Sequence, residues 1–163
     1  MARLSPTFGA ISLLGLVCCS PLVSASSLDA HYVAGRYIAA SPRPEAMPGG
    51  NASRMARQLA AAHPGAFVVR GWGRSMQPLY PSGTLLVVRP MPFATLQRGM
   101  TVMFRNRSNH SVTHVLVART PNGWRTAGLN NRRDDYVCVN AGNITGVVIA
   151  AFTEVENRLV ALR

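Results

Sequence analysis

From residue 66 onwards, short apolar runs alternate with clusters of turn residues. The runs are rich in Val, Ile, Thr and aromatic residues, which is typical of strands, and Gly, Pro or Asn residues separate them. This pattern predicts seven strands, at residues 66–70, 84–89, 101–105, 112–119, 124–127, 136–139 and 144–152. Because no helical period interrupts them, residues 66–163 are predicted to form a mostly-β domain, with a bent sheet or a partly open barrel.

Residues 26–65 read differently, because Pro and Gly residues break any long element there. Within this irregular segment a short helix is predicted at residues 51–63. Asn51 or Ser53 can cap it, and it ends before Pro64. Its apolar positions, Met55, Leu59 and Ala62, are expected on one side.

The first 25 residues have the pattern of a secretory leader. Arg3 precedes an apolar stretch from Phe8 to Cys19, and small residues follow at 23–25. About 12 apolar residues are short for a membrane span, so a cleaved leader is favoured over a membrane anchor at residues 8–25. Either reading predicts an exported protein. After cleavage Cys138 would be the single cysteine, and its apolar surroundings predict a core residue.

The charge balance is strongly positive. The 17 basic residues are all arginine, the acidic residues number 6, and the net charge is +11. Nucleic acid is a disfavoured partner, because the arginines are scattered and few aromatic residues are available for base stacking. A membrane surface or another anionic polymer stays open as a partner. Nothing in the sequence indicates the oligomeric state.

The segment GRSMQP, residues 73–78, places a serine between two apolar runs. A serine nucleophile needs an exposed hydroxyl at a turn, a base, and donors for the oxyanion. Gly73 permits close backbone approach before Ser75, and Pro78 stiffens the turn after it. On local sequence alone, an ordinary turn serine is the favoured interpretation.

The order of six short motifs resembles the signal peptidase I family, which has the S24/S26 peptidase type of fold. GRSMQP resembles the family's G-x-S-M-x-P motif. The other five follow in the family's order: PSGTLLVV at 81–88, LQRGMTVMF at 96–104, VTHVL at 112–116, GLNNRRDD at 128–135 and ITGVV at 144–148. The resemblance covers about residues 68–152 and implies a serine endopeptidase.

The chain contains no lysine, so the serine and lysine pair of the common bacterial branch is impossible here. The resemblance is closest to the endoplasmic-reticulum and archaeal branch, which uses histidine. It implies Ser75 as nucleophile, His114 as general base and Asp135 as the acid that orients the histidine, with Asp134 as the alternative acid. His110 is interpreted as a solvated loop residue.

The resemblance also implies the remaining parts of the site. The oxyanion and substrate-binding groups are expected at Gly73, Arg74 and Met76, together with the backbone N–H of Ser75. The expected substrate is a peptide or protein segment with small residues three and one before the cut. No metal ion or nucleotide cofactor is expected.

Four positions depart from the family pattern. Thr84, Met100 and Leu129 each replace an aspartate, and Val115 replaces the arginine that follows the histidine. The first two are expected to change only turn capping and strand starts. The other two favour an alternative, an inactive relative that serves as a binding or scaffold protein. A cationic exported protein that binds anionic lipid or polymer is a further alternative.

Overall fold

The computed structural model describes residues 31–155. Of its residues, 41% lie in strands and 11% in helices, which confirms the predicted mostly-β class. The described strands are β1 (Tyr32–Val33), β2 (Arg36–Tyr37), β3 (Pro44–Pro48), β4 (Phe67–Arg70), β5 (Leu85–Arg89), β6 (Thr101–Arg105), β7 (Ser111–Thr120), β8 (Gly123–Ala127) and β9 (Ile144–Val155). Helix α1 (Asn51–Ala61) lies between β3 and β4, and a 3-10 turn (Phe93–Thr95) lies between β5 and β6.

Seven of these strands form one sheet, while β1 and β2 form a small hairpin. The order across the sheet is β4-β5-β9-β6-β7-β8, with β3 paired in parallel to the end of β9. The register shifts between Val87 and Val88 and between Met103 and Phe104. Such irregularities bend strands. The sheet is not closed into a barrel, so the bent-sheet form of the prediction is the one observed.

Six of the seven predicted strands are present with small shifts at their ends, but residues 136–139 do not form a strand. Main-chain hydrogen bonds join this segment to β8 at two points, Thr126 with Asp135 and Trp124 with Val139. The chain therefore uses four residues to advance from Asp135 to Val139, whereas the paired stretch of β8, from Thr126 to Trp124, uses two. The excess chain bulges outward, and Tyr136 is 84% exposed. Cys138 is partly buried rather than a full core residue.

Residues 31–65 are more ordered than the sequence suggests, because β1, β2 and β3 lie within them. Helix α1 begins after Gly50 without a side-chain cap, so neither predicted capping residue acts as one. Its buried positions are Ala52, Ala56 and Ala60. The small alanine side chains let the helix pack close to the sheet. The predicted apolar face was wrong for Met55, which is exposed, and for Ala62, which caps the helix end.

The segment before α1 is fixed to the core by polar contacts. The Ser41 hydroxyl donates to the Gly99 carbonyl at 2.7 Å and lies 2.7 Å from the Thr101 hydroxyl. The Tyr80 hydroxyl donates to the Pro42 carbonyl at 2.7 Å. Burial raises the pKa of Tyr80 above the ordinary tyrosine value, so the phenol stays protonated.

The predicted leader, residues 1–25, lies outside the described residues. Between residues 31 and 155, no helix has the length and apolar character needed to cross a membrane.

Candidate active site

The loop that carries Ser75 connects β4 to β5 and is held at its base. Gly71 donates its N–H to the Thr84 carbonyl and accepts from the Gly83 N–H, both at 2.8 Å. Gly73 has a φ of 92°, which a residue with a side chain adopts only under strain. The chain can therefore turn sharply two residues before Ser75, and the serine lies half-buried in a concave part of the surface.

His114 lies in the middle of β7, opposite Val102 of β6. It is 5% exposed, and the ring of Phe104 contacts it edge-on with centroids 6.5 Å apart. Nδ1 of His114 lies 2.7 Å from Oδ2 of Asp135, so the ring donates a hydrogen bond to the carboxylate. This bond fixes the orientation of the ring and leaves Nε2 as the nitrogen that can accept a proton.

Asp135 is held in turn by Thr126, a residue that the sequence analysis missed. The Thr126 hydroxyl donates to Oδ2 of Asp135 at 2.6 Å, and the Asp135 N–H donates to the Thr126 carbonyl at 2.8 Å. Thr126 is fully buried on β8. The available signal was strand alternation, because Thr126 falls on the same face of β8 as Trp124 and opposite to the charged Arg125.

The neighbouring acid, Asp134, belongs to a different set of contacts. Arg36 donates to its Oδ1 at 3.2 Å, and Nε of Arg125 lies 2.8 Å from its Oδ2. The structure therefore joins His114 to Asp135, and Asp134 forms surface ion pairs instead.

Ser75 and His114 line the same cavity, which has a volume of about 560 Å³. Gly73 and Met76 also line it, whereas Arg74 is exposed and lies outside the lining. The remaining walls are mainly apolar, with Val69, Tyr80, Leu86, Met103 and Val112 among them. The structure brings Ser75 and His114 to one cavity, and within the described part of the chain no hydrogen bond joins their side chains.

The segment that follows β8 packs against the serine loop. Asn130 donates its N–H to the Ser75 carbonyl at 2.8 Å. A Cβ atom on Gly128 would lie 2.8 Å from that same carbonyl oxygen, so only glycine fits there. The loop that bears Asp135 and the loop that bears Ser75 are thus held in fixed relation to each other.

The departures from the family pattern fall into two groups. Thr84 donates its hydroxyl to the Pro81 carbonyl at 2.6 Å and so closes a turn, and Met100 begins the approach to β6. Leu129 and Val115 are 1% and 0% exposed and share one apolar core cluster with Met76. At these two positions, where the family pattern has an aspartate and an arginine, the structure thus has apolar packing.

The other candidate residues lie away from this cavity. His110 is exposed in the turn between β6 and β7, as the sequence indicates. Within residues 31–155 the His, Cys, Asp and Glu side chains form no group of three that could hold a metal ion.

Comparison with protein families gives one match. A family model described as Peptidase S24-like matches residues 32–149, more than two thirds of the chain. No curated protein matches the sequence significantly.

Proposed function

Because the chain belongs to the peptidase S24-like family, we propose that it is a serine endopeptidase of the signal peptidase I type with a Ser, His and Asp site. The observation that carries this proposal is the 2.7 Å hydrogen bond between His114 and Asp135 at the wall of the cavity that also contains Ser75. A buried histidine with one nitrogen bonded to a carboxylate has the arrangement that general-base catalysis requires.

In the proposed reaction, Nε2 of His114 takes the proton from the Ser75 hydroxyl as Oγ attacks the peptide carbonyl. Nδ1 keeps its hydrogen bond to Asp135, whose charge stabilises the protonated ring. His114 then gives the proton to the leaving amine, and an acyl-enzyme remains on Ser75. Water, deprotonated by His114, releases the acid and restores the serine. In unliganded sites the bond between serine and base is often long, and it tightens when substrate binds.

The oxyanion has a candidate donor in the serine loop. Within residues 31–155 no group accepts a hydrogen bond from the backbone N–H of Ser75 or of Met76. A free N–H group next to the nucleophile can stabilise the negative charge that develops on the substrate oxygen. The Gln77 and Tyr80 N–H groups, by contrast, are bonded to the Arg74 and Met76 carbonyls.

The family resemblance supports a substrate with small residues three and one before the cut, within a leader peptide or another exported protein. It also supports an exported location for the enzyme. The proposed mechanism uses no metal ion or nucleotide, because its proton transfers involve only Ser75, His114 and Asp135.

The test is cleavage of such peptides by the full chain and by two active-site variants, Ser75→Ala and His114→Ala. Turnover should fall by at least about a thousandfold in both. Ser82→Ala and His110→Ala remove the same groups from exposed positions outside the cavity and serve as matched controls. Equal turnover in the active-site variants and controls, or turnover in none of the proteins, would contradict the mechanism.

A second candidate function is binding without catalysis on the same scaffold. The burial of Leu129 and Val115 in apolar packing favours it, because two charged groups of the family site are missing. In that case wild type and Ser75→Ala should bind a peptide equally and cleave nothing.

A further inference from the structure

The surface around the cavity carries several arginine side chains, and among residues 31–155 the nearby carboxylates, Asp134 and Asp135, are already paired. Arg70 ends β4 and lines the cavity, and its guanidinium donates a 3.0 Å hydrogen bond to the Gly83 carbonyl. Arg74 immediately precedes Ser75 and is exposed. Both arginines therefore lie in the stretch of chain that leads from β4 into Ser75.

Two more arginines line a neighbouring cavity. Arg132 and Arg133 line a second, shallower cavity of about 470 Å³, and Asn131 lines both cavities. The two hollows are therefore adjacent across that asparagine. Arg132 and Arg133 are exposed and follow directly in sequence.

The acidic residues nearby do not neutralise these four arginines. Asp134 is paired with Arg36 and Arg125, and Asp135 is bonded to His114 and Thr126. Within residues 31–155, Arg74, Arg132 and Arg133 have no ion pair or hydrogen bond from their side chains. The entrance thus has a surplus of positive charge facing solvent, and an anionic ligand would be attracted to it.

We propose that Arg70, Arg74, Arg132 and Arg133, the basic rim, select peptide segments that carry acidic residues beside the residue held in the cavity. This inference rests on the proposed function, because it concerns substrates of the same site. A peptide is favoured over a membrane surface because the serine lies in a concave cavity with apolar walls, which an extended segment enters and a flat surface does not. The exposed Trp72 ring at the same wall offers apolar contact to that segment.

The test measures binding separately from cleavage, with the Ser75→Ala full chain. Two fluorescent peptides of equal length are compared, each with small residues at the cut and either two Glu or two Gln residues flanking them. At low salt the Glu peptide should bind about three- to tenfold tighter, since each exposed charge pair contributes modestly. The difference should shrink at 300 mM salt because of screening.

Substitutions in the rim should remove this preference. Arg132→Gln with Arg133→Gln, and separately Arg70→Gln with Arg74→Gln, should each reduce the ratio of the two affinities at least twofold. Arg54→Gln with Arg119→Gln removes the same charge from exposed positions outside both cavities and should leave the ratio unchanged. Thermal unfolding of every variant identifies any that fail to fold. If the variant with both Arg132→Gln and Arg133→Gln does not fold, the single variant Arg132→Gln takes its place.

Several outcomes would overturn the proposal. They are equal affinity for the two peptides, a preference that salt does not reduce, and an equal loss in the control pair. Rim-dependent binding to vesicles with anionic lipid, without any preference between the peptides, would assign the rim to a membrane surface instead. Selective binding together with no cleavage by wild type would leave the rim standing and refute the endopeptidase. Cleavage without charge preference would refute the rim alone.

Discussion

Thr126 provides the sharpest test of how the site is held together. Its fully buried hydroxyl donates to the same oxygen of Asp135 that accepts from His114, at 2.6 Å and 2.7 Å. Thr126→Val keeps the shape of the side chain and removes the donor. The Asp135 carboxylate then depends on a single side-chain donor for its position.

The expected cost follows from the contact. A hydrogen bond to a charged group contributes about 1.5 to 3 kcal/mol. Because the Asp135 side chain is 20% exposed, water can replace part of the bond, and a loss near the lower end, about 1.5 to 2 kcal/mol, is expected. For a chain of this size this lowers Tm by roughly 3 to 8 °C.

Measurements of kcat and KM should show whether Thr126 positions Asp135 for catalysis or only stabilises the fold. Thr126→Val is expected to lower kcat about tenfold with little change in KM, because Thr126 does not line the cavity. Thr126→Ser keeps the hydroxyl and loses one buried methyl group, so it should cost about 1 kcal/mol of stability yet retain most of kcat.

The assays are thermal unfolding by circular dichroism and steady-state cleavage of a peptide with small residues at the cut. If kcat falls in proportion to the loss of stability in both Thr126→Val and Thr126→Ser, the positioning role of Thr126 is refuted. So would full activity in Thr126→Val.

Two further predictions concern the core beneath the site. Leu129→Asp, which restores the family residue, places an unpaired carboxylate at a position only 1% exposed, so chemical denaturation should show a loss of at least about 3 kcal/mol in the free energy of unfolding. Leu129→Met is the volume-matched control. An Asp variant as stable as wild type would contradict the burial of this position. The raised pKa of Tyr80 predicts stability that is complete below about pH 10, the ordinary tyrosine value, and declines as pH rises above it, because the unfolded phenol ionises first. Tyr80→Phe should lose about 1 kcal/mol at neutral pH, from the unpaired Pro42 carbonyl, and should show a weaker alkaline decline in denaturation series; identical alkaline declines would refute the assignment.

The strands after residue 66 were predictable because their signals are local. Each is a short run of β-branched and apolar residues between turn residues, and this pattern needs no distant partner. β3 gave no such signal, since Pro44 and Pro48 bound it and Glu45 lies within it. It exists because it pairs with β9, whose residues lie about a hundred positions further along the chain.

The candidate site was predictable from motif order, and its internal contacts were not. The motifs indicated Ser75, His114 and the acidic pair, but adjacent Asp134 and Asp135 look alike in sequence. Their different partners, Arg36 and His114, come from distant strands. The hydroxyl of Thr126 likewise gains its role only when β8 lies beside the loop that follows it.

The central position of β9 has a consequence for biosynthesis. Hydrogen bonds connect β9 to β5 on one side and to β6 on the other, and those bonds are the link between the two halves of the sheet. While the ribosome has produced only the residues before 144, the β4-β5 pair and the β6-β7-β8 meander each have an open edge that can pair with another chain. Their union requires the last strand of the described region, so folding is expected to follow synthesis, and the nascent chain is most vulnerable to aggregation just before β9 is complete.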